Sequence, residues 1–529
     1  DTTAFVNVPA GVTATLDLGG KTLTNKADEH TIIVENGATL TITGNGIVDN
    51  VSHGKGAIVN SGEVTLNGGT FKRSAEKGTY SPYGNGGNSW YTIANYGTME
   101  INTGVTVENA GGYSSMIRNG GEATADCNLT IRGGNFVGGV NTVKNDYFGV
   151  LTINGGNFSN TAQYVIMNWN KAEITAGTFR TLDTASAVLF TSAFGGNANY
   201  VGKLTISGGE FKHASDTQEM IVDHYNASNS GTAAVTCGKF DADISAYVPN
   251  GYIQNENGAV ETLGETNAVA KVGDTYYKTL AKAINVASNG ATITLLKDAE
   301  TTVELSFTSK AITLDLNGKT VSGTFTDNFS VIEAGKDASL TVQDTSVAGT
   351  GKIASNKYGI SARDGGALIV KSGTIESEYA PLSGNNTAGD MNFTVNGGTL
   401  TAKYGPAIYM PGQVNLIITD GVLNGGISLR MGQVSISGGT INAATDGLDS
   451  PAEYYHYSGN AWLPDALYVF GGTYTSGNTT YGNSLHLNIT GGTFNCANGQ
   501  GSAVAIYDLG KVEQVMEITI SDDVKRGTN

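Results

Sequence analysis

TINGGNF, residues 152–158, is the stretch on which the fold turns. Ile153 alternates with the polar Thr152 and Asn154, the period of a strand that buries one face. The two glycines accept the positive φ of a tight bend, and Phe158 then turns back to the apolar side. The pattern recurs as TLNGGTF (65–71), TIRGGNF (130–136), EITAGTF (173–179) and TISGGEF (205–211). Later copies are TVNGGTL (394–400), SISGGTI (435–441), YVFGGTY (468–474) and NITGGTF (488–494). VTCGKF (235–240) and IIVENGATLTI (32–42) are degenerate versions.

Phe136, Phe158, Phe179 and Phe211 are separated by 22, 21 and 32 residues. A period of this size built from strands alone predicts an all-β chain, a right-handed parallel β-helix (β-solenoid). One repeat cannot bury its own apolar face; stacking on its neighbours does so and makes the sheets parallel. The uneven period assigns the extra residues to loops extruded from a regular shaft. Gly-Gly also permits β-hairpin turns. The segments after the glycines are too short for hairpin strands, which favours coils with short faces.

Composition agrees with many tight turns: 74 glycines and 8 prolines stand in 529 residues, without the triplet period of collagen. Lys and Arg number 30 against 47 Asp and Glu, a formal net charge of -17. That balance argues against nucleic acid or an anionic membrane as partners. No apolar run approaches the roughly 18 residues that span a bilayer, so no membrane insertion is expected in this segment. Asp1 is not an initiator Met, so the lack of a signal peptide says little. Cys127, Cys237 and Cys496 are odd in number and widely spaced, and are read as small buried fillers.

The second half restarts the first. TATLDLGGKTLTNK (13–26) matches AITLDLNGKTVSGT (311–324), which predicts two tandem modules, 1–262 and 263–529. DTYYKTLAKAINVASNG (274–290) has Tyr277, Leu280, Ile284 and Ala287 on one helical face, with Asp274 or Thr275 to cap it and Gly290 to end it. A helix over about 274–289 is therefore expected as a cap on the first repeat of module two. Asp1 aligns with Glu300, beyond that helix, and the closing segment GKFDADISAYVPNGY (238–252) has no counterpart at the end of module two. The chain is thus expected to be a piece of a longer protein.

The string KVGDTYYKTLAKAINVASNGATITLLKDAETTVEL (271–305), with ITLDLNGKTVSG and the INGGNF or ISGGTF repeats, resembles adhesin-like surface and secreted proteins of anaerobic gut bacteria, mainly Firmicutes. The resemblance implies a pectate-lyase-like right-handed β-helix, secretion and cell-wall attachment. It carries no catalytic motif.

Two insertions interrupt the repeats. GTYSPYGNGGNSWYTIANYG (78–97) supplies Tyr80, Tyr83, Trp90, Tyr91 and Tyr96, and 443–462 supplies Tyr454, Tyr455 and Trp462. Exposed aromatic rings stack on sugar faces while Asn and Asp reach hydroxyls, so these are candidate ligand-binding residues. The competing reading folds the rings onto the shaft. Asn168-Trp169-Asn170 and Asp223-His224-Tyr225 are weaker candidates of the same kind.

Asp446 and Asp449, with His456, form a weak catalytic candidate, because ATDGLDS resembles the NTDGxD segment of polygalacturonase-type hydrolases. Ala444 replaces that family's Asn, and no Gly-His-Gly or Arg-x-Lys segment follows; Asp522-Asp523 lies near the chain end. Arg363-Asp364 and Lys371 with Glu376 and Glu378 have no distinctive spacing for lyase chemistry. No cofactor is indicated, although Asn/Asp/Gly loops suit a structural calcium.

Three functions follow as expectations. The first is an extracellular, secreted or wall-attached adhesin that binds a glycan or host surface protein. The second is a polysaccharide-degrading glycoside hydrolase or lyase, with Asp446 and Asp449 in one cleft. The third is a structural stalk that self-associates.

Overall fold

The computed structural model describes residues 1–529 apart from 75–89, 110–113, 122–124, 161, 183–184, 194–200, 385–390, 445–464, 471–473, 477–478, 482–483, 497–500, 508–514, 522–523 and 527–529. The chain is mostly β, with long parallel sheets and no closed barrel. It divides into two compact units, Asp1–Thr262 and Leu263–Asn529. No helix among the described residues is long and apolar enough to cross a membrane.

In unit 1 the GG-containing repeats lie in register. Cys127–Ile131 pairs in parallel with Gly149–Asn160, which pairs with Lys171–Thr181, Lys203–Lys212 and Thr232–Phe240 in turn. Ile131, Ile153, Ile174, Ile206 and Val235 therefore form one column, wholly buried. Removing such a side chain from water contributes about 1.5–3 kcal/mol. Phe136, Phe158, Phe179, Phe211 and Phe240 form a second column, with ring centroids 4.5–4.8 Å apart and planes within 8°.

The paired glycines have distinct reasons. A Cβ on Gly155 would meet the Arg132 carbonyl oxygen at 2.6 Å. Gly156 has φ +108, and a Cβ there would press on the rings of Phe136 and Phe158, each at 3.2 Å. One glycine lets the repeats approach and the other lets the chain turn beside the ring column.

Unit 1 ends its parallel ladder with a reversal. Ala259–Thr262 runs antiparallel to both Tyr252–Gln254 and the Gly238-Lys239 edge. Covering an edge in this way removes unpaired N–H and C=O groups.

Unit 2 has its own column: Ile293, Leu314, Val342, Val370, Val395, Ile418, Ile436 and Ile489, all essentially inaccessible. The turn LDLGGK of unit 1 and LDLNGK of unit 2 close alike. Asp17 Oδ1 accepts from Gly19 N and Asp315 Oδ1 from Asn317 N, both at 3.1 Å.

The helix differs from its expected extent. It runs only over Leu280–Val286, because Thr275–Tyr277 is instead a strand antiparallel to Ala270–Val272. Thr279, rather than Asp274 or Thr275, caps it by accepting from Lys282 N at 3.2 Å. The chain leaves the helix at Ala287, and Gly290, with φ +81, turns into Ala291–Leu295. Leu280, Ala283, Ile284 and Ala287 are buried in unit 2's core.

Only Cys127 is the buried filler expected of the cysteines; Cys237 is exposed and Cys496 half-buried. Cys237 lies within the strand Thr232–Phe240, in register with Ser207, and its side chain is exposed.

Candidate functional site

The nine-stranded parallel sheet of unit 1 carries the candidate site. Its strands contribute the triplets Ile58-Val59-Asn60, Ile93-Ala94-Asn95, Ile117-Arg118-Asn119, Val143-Lys144-Asn145 and Ile166-Met167-Asn168. First positions point into the core. Third positions form an asparagine ladder, in which each side-chain amide donates to the next asparagine oxygen. The steps are 2.7 Å from Asn60 to Asn95, 2.7 Å to Asn119, 2.8 Å to Asn145 and 2.8 Å to Asn168. Asn168 ends the ladder on Thr191 Oγ1 at 3.1 Å. The amides also donate to backbone carbonyls, as Asn119 does to Cys127 O and Val150 O. Fully satisfied buried amides lock the register of all five strands.

Between these two columns the middle residue faces away from the core, where Ala94, Arg118 and Phe190 are themselves covered. Ala94, Arg118, Lys144, Met167 and Phe190 therefore stand in a row at one-strand spacing, about 4.8 Å. Asp146, two residues past Lys144, turns its Oδ2 to both cations. Arg118 Nε lies 3.1 Å from it and Lys144 Nζ 2.9 Å.

Aromatic rings gather around that row. The Arg118 guanidinium sits 5.2 Å from the Tyr91 ring centre and 5.8 Å from that of Tyr96, within cation–π range. Trp169 packs edge-on against Phe190 at 4.9 Å and Tyr225 at 5.8 Å. Between Tyr91 and Trp169 lies a groove of about 310 Å³, lined also by Ser115, Asn141, Lys144 and Met167.

Trp90 behaves differently. Its ring packs on the imidazole of His30 with centroids 4.5 Å apart and lies against Gly56, where a Cβ would reach it at 2.8 Å. The buried Arg73 donates to Trp90 O and, at 2.6 Å, to Lys55 O. Burial first, then the Lys55 charge, hold His30 down at a pKa of about 4. Trp90 thus packs against His30 and Gly56, while Tyr91 lines the groove.

Of the sequence candidates, Trp90, Tyr91 and Tyr96 are described, and all are half-buried. Ile93–Asn95, expected within the insertion, is instead a regular strand of the sheet. Its short IAN triplet is flanked by aromatic residues that disguise it. Tyr80, Tyr83, Asp446, Asp449, Tyr454, Tyr455, His456 and Trp462 lie outside the described residues, as do Asp522 and Asp523. The two weaker motifs meet: Trp169 and Tyr225 are in ring contact.

Unit 2 has an open groove of about 450 Å³ floored by Ser, Thr and Asn side chains, with Glu376, Glu378 and Lys403. Glu376 is paired with Lys352, and Glu378 lies 4.0 Å from Lys403; Arg363 is paired with Glu333. Lys371 is not the partner of either glutamate in these pairs. No group of three or more His, Cys, Asp or Glu suited to a metal occurs among the described residues.

Sequence reading missed the asparagine ladder and the Arg118–Asp146–Lys144 cluster. The signal was the recurrence of Ile/Val-x-Asn at repeat spacing. No protein-family model, curated protein or solved structure matches the chain.

Proposed function

We propose that this chain is an adhesin-like, extracellular surface protein of a gut bacterium, built as a right-handed parallel β-helix of two modules, that binds saccharide through the outward face of unit 1. In-register parallel stacking supports the helix, and right-handed crossovers are the rule between parallel strands. The adhesin-like module strings support the source and the location.

The observation that carries the binding reading is the groove between Tyr91 and Trp169. Its lining joins the Tyr91 ring and the Met167 thioether to a polar set, Ser115, Asn141 and Lys144, that can meet ligand hydroxyls. Tyr and Trp suit sugar rings in particular, offering an apolar face with a polar edge. The ladder fixes the sheet that carries Asn141, Lys144 and Met167, and Tyr91, Ser115 and Trp169 lie within two residues of its strands, which lowers the entropic cost of binding.

Recognition is favoured over hydrolysis at the 450 Å³ groove of unit 2, because its carboxylates, Glu376 and Glu378, face lysines. A glycosidase needs one carboxyl protonated and the other free to act.

A glycan-array screen tests the proposal. Wild type is expected to bind a defined subset of glycans, and Tyr91→Ala to lose it. Absence of binding to every glycan by the wild type would sink the reading.

A further inference from the structure

The groove of this acidic chain is lined by a cation, Lys144. We propose that the groove takes a sugar carrying an anionic substituent, a carboxylate or sulfate, with Lys144 as the partner of the anion. This narrows the saccharide reading above and rests on it.

The chain has a formal net charge of -17. Yet Arg118 and Lys144 are placed side by side in adjacent strands, with one carboxylate between them. Both cations contact the same Asp146 oxygen. Exposure decides which member of the trio a ligand meets. The Asp146 side chain is 2 % exposed and that of Arg118 10 %, whereas that of Lys144 is 23 %. The member that reaches the groove is therefore a cation, and the neutralising carboxylate is beneath it. Lys144 has three N–H donors, of which Asp146 engages one. Positive charge in a partly desolvated site gains from an anion that pairs with it.

The other groove groups suit the rest of such a ligand. Asn141 is 3 % exposed; its Nδ2 donates to Ser115 Oγ at 3.0 Å, while Oδ1 has no partner among the described residues. A buried acceptor left unmet costs free energy, which a donor hydroxyl from a ligand would recover. The half-buried Tyr91 and Met167 offer apolar surface for the ring face, with the buried Trp169 at the groove's edge. The volume, about 310 Å³, suits one acidic sugar unit rather than a long chain.

Isothermal titration of the full chain with lactose, 3′-sialyllactose and 3′-sulfated lactose tests this, since the three differ in the anionic group. At least one anionic sugar is expected to bind about tenfold or more tighter than lactose. That advantage should shrink in high salt, disappear in Lys144→Met and persist in Lys144→Arg, whose charge is intact. Equal binding of all three by wild type, or an anionic preference that survives in Lys144→Met, would overturn the proposal. Lactose binding without such a preference defeats this narrowing alone. If none of the three binds and the glycan array is also blank, the saccharide reading fails with it.

Discussion

Asn119 Nδ2 donates to Asn145 Oδ1 at 2.8 Å across two adjacent strands, while each residue also caps backbone carbonyls of its own and the following repeat. Both side chains are inaccessible to solvent. Asn119→Ala removes three donor contacts at once and leaves buried acceptors behind, each worth about 1–3 kcal/mol when unmet. The expected loss is about 3 kcal/mol in chemical denaturation. Asn119→Asp should be at least as harmful, because a carboxylate cannot donate to Asn145 Oδ1. An unchanged midpoint for both variants would mean that the ladder is not a stabilising element.

The phenylalanine column makes a second prediction. Phe179 is 0 % exposed and stacked at 4.8 Å on both Phe158 and Phe211. Phe179→Ala should cost about 3–5 kcal/mol through lost transfer energy and the cavity left behind. Phe179→Leu should cost less, since it refills part of the volume. Beside the column, Gly156→Ala puts a Cβ at φ +108 against two rings, and denaturation should show it destabilised despite the gain of a methyl group. A neutral Gly156→Ala would contradict the tight packing of that turn.

These two columns differ in how readable they were. The GG-x-Phe repeat is local: strand period, bend and returning ring all sit within seven residues, so TINGGNF alone predicts the inward face. Asn119 and Asn145 mean nothing singly, since a polar residue ending a short strand is ordinary. They become a ladder only once register stacks them, and register belongs to the assembled sheet. The same holds for Arg118 and Asp146, 28 residues apart in sequence and 3.1 Å apart in space. The helix was legible in its Leu280–Ile284 face but overextended, because Tyr276 and Tyr277 suit a strand and found a partner in Ala270–Val272. At the candidate site, Tyr91 and Trp169 were visible as aromatics, but which ring packs down and which lines a groove depended on His30 and Gly56, far away in the chain.

His30 gives a pH prediction. Its imidazole is held at about 4, below the ordinary 6.5, by burial and then by Lys55. The unfolded chain therefore takes up the proton first as pH falls. The stability that His30 contributes is complete above about 6.5 and declines as pH drops through that value towards 4, below which it falls no further. Nuclear magnetic resonance titration should place the His30 transition near 4. Trp90→Ala, by opening the ring to water, should move it up. A wild-type transition near 6.5 would show that Trp90 does not shield the imidazole.

Asp146→Asn separates folding from ligand attraction, because it should push them in opposite directions. The carboxylate holds Arg118 and Lys144 together from a nearly inaccessible position. Replacing it leaves two cations without their shared counter-ion, and breaking one side of a buried pair costs about 3–5 kcal/mol. Lys144 can relax towards solvent, so the lower end is expected, read as a lower denaturation midpoint. The same change removes a negative charge from beneath Lys144. An anionic sugar should then bind more tightly to the folded variant, with steeper salt dependence, while lactose is unaffected. If anionic binding weakened together with stability, Asp146 would be acting by shaping the groove rather than by setting its charge.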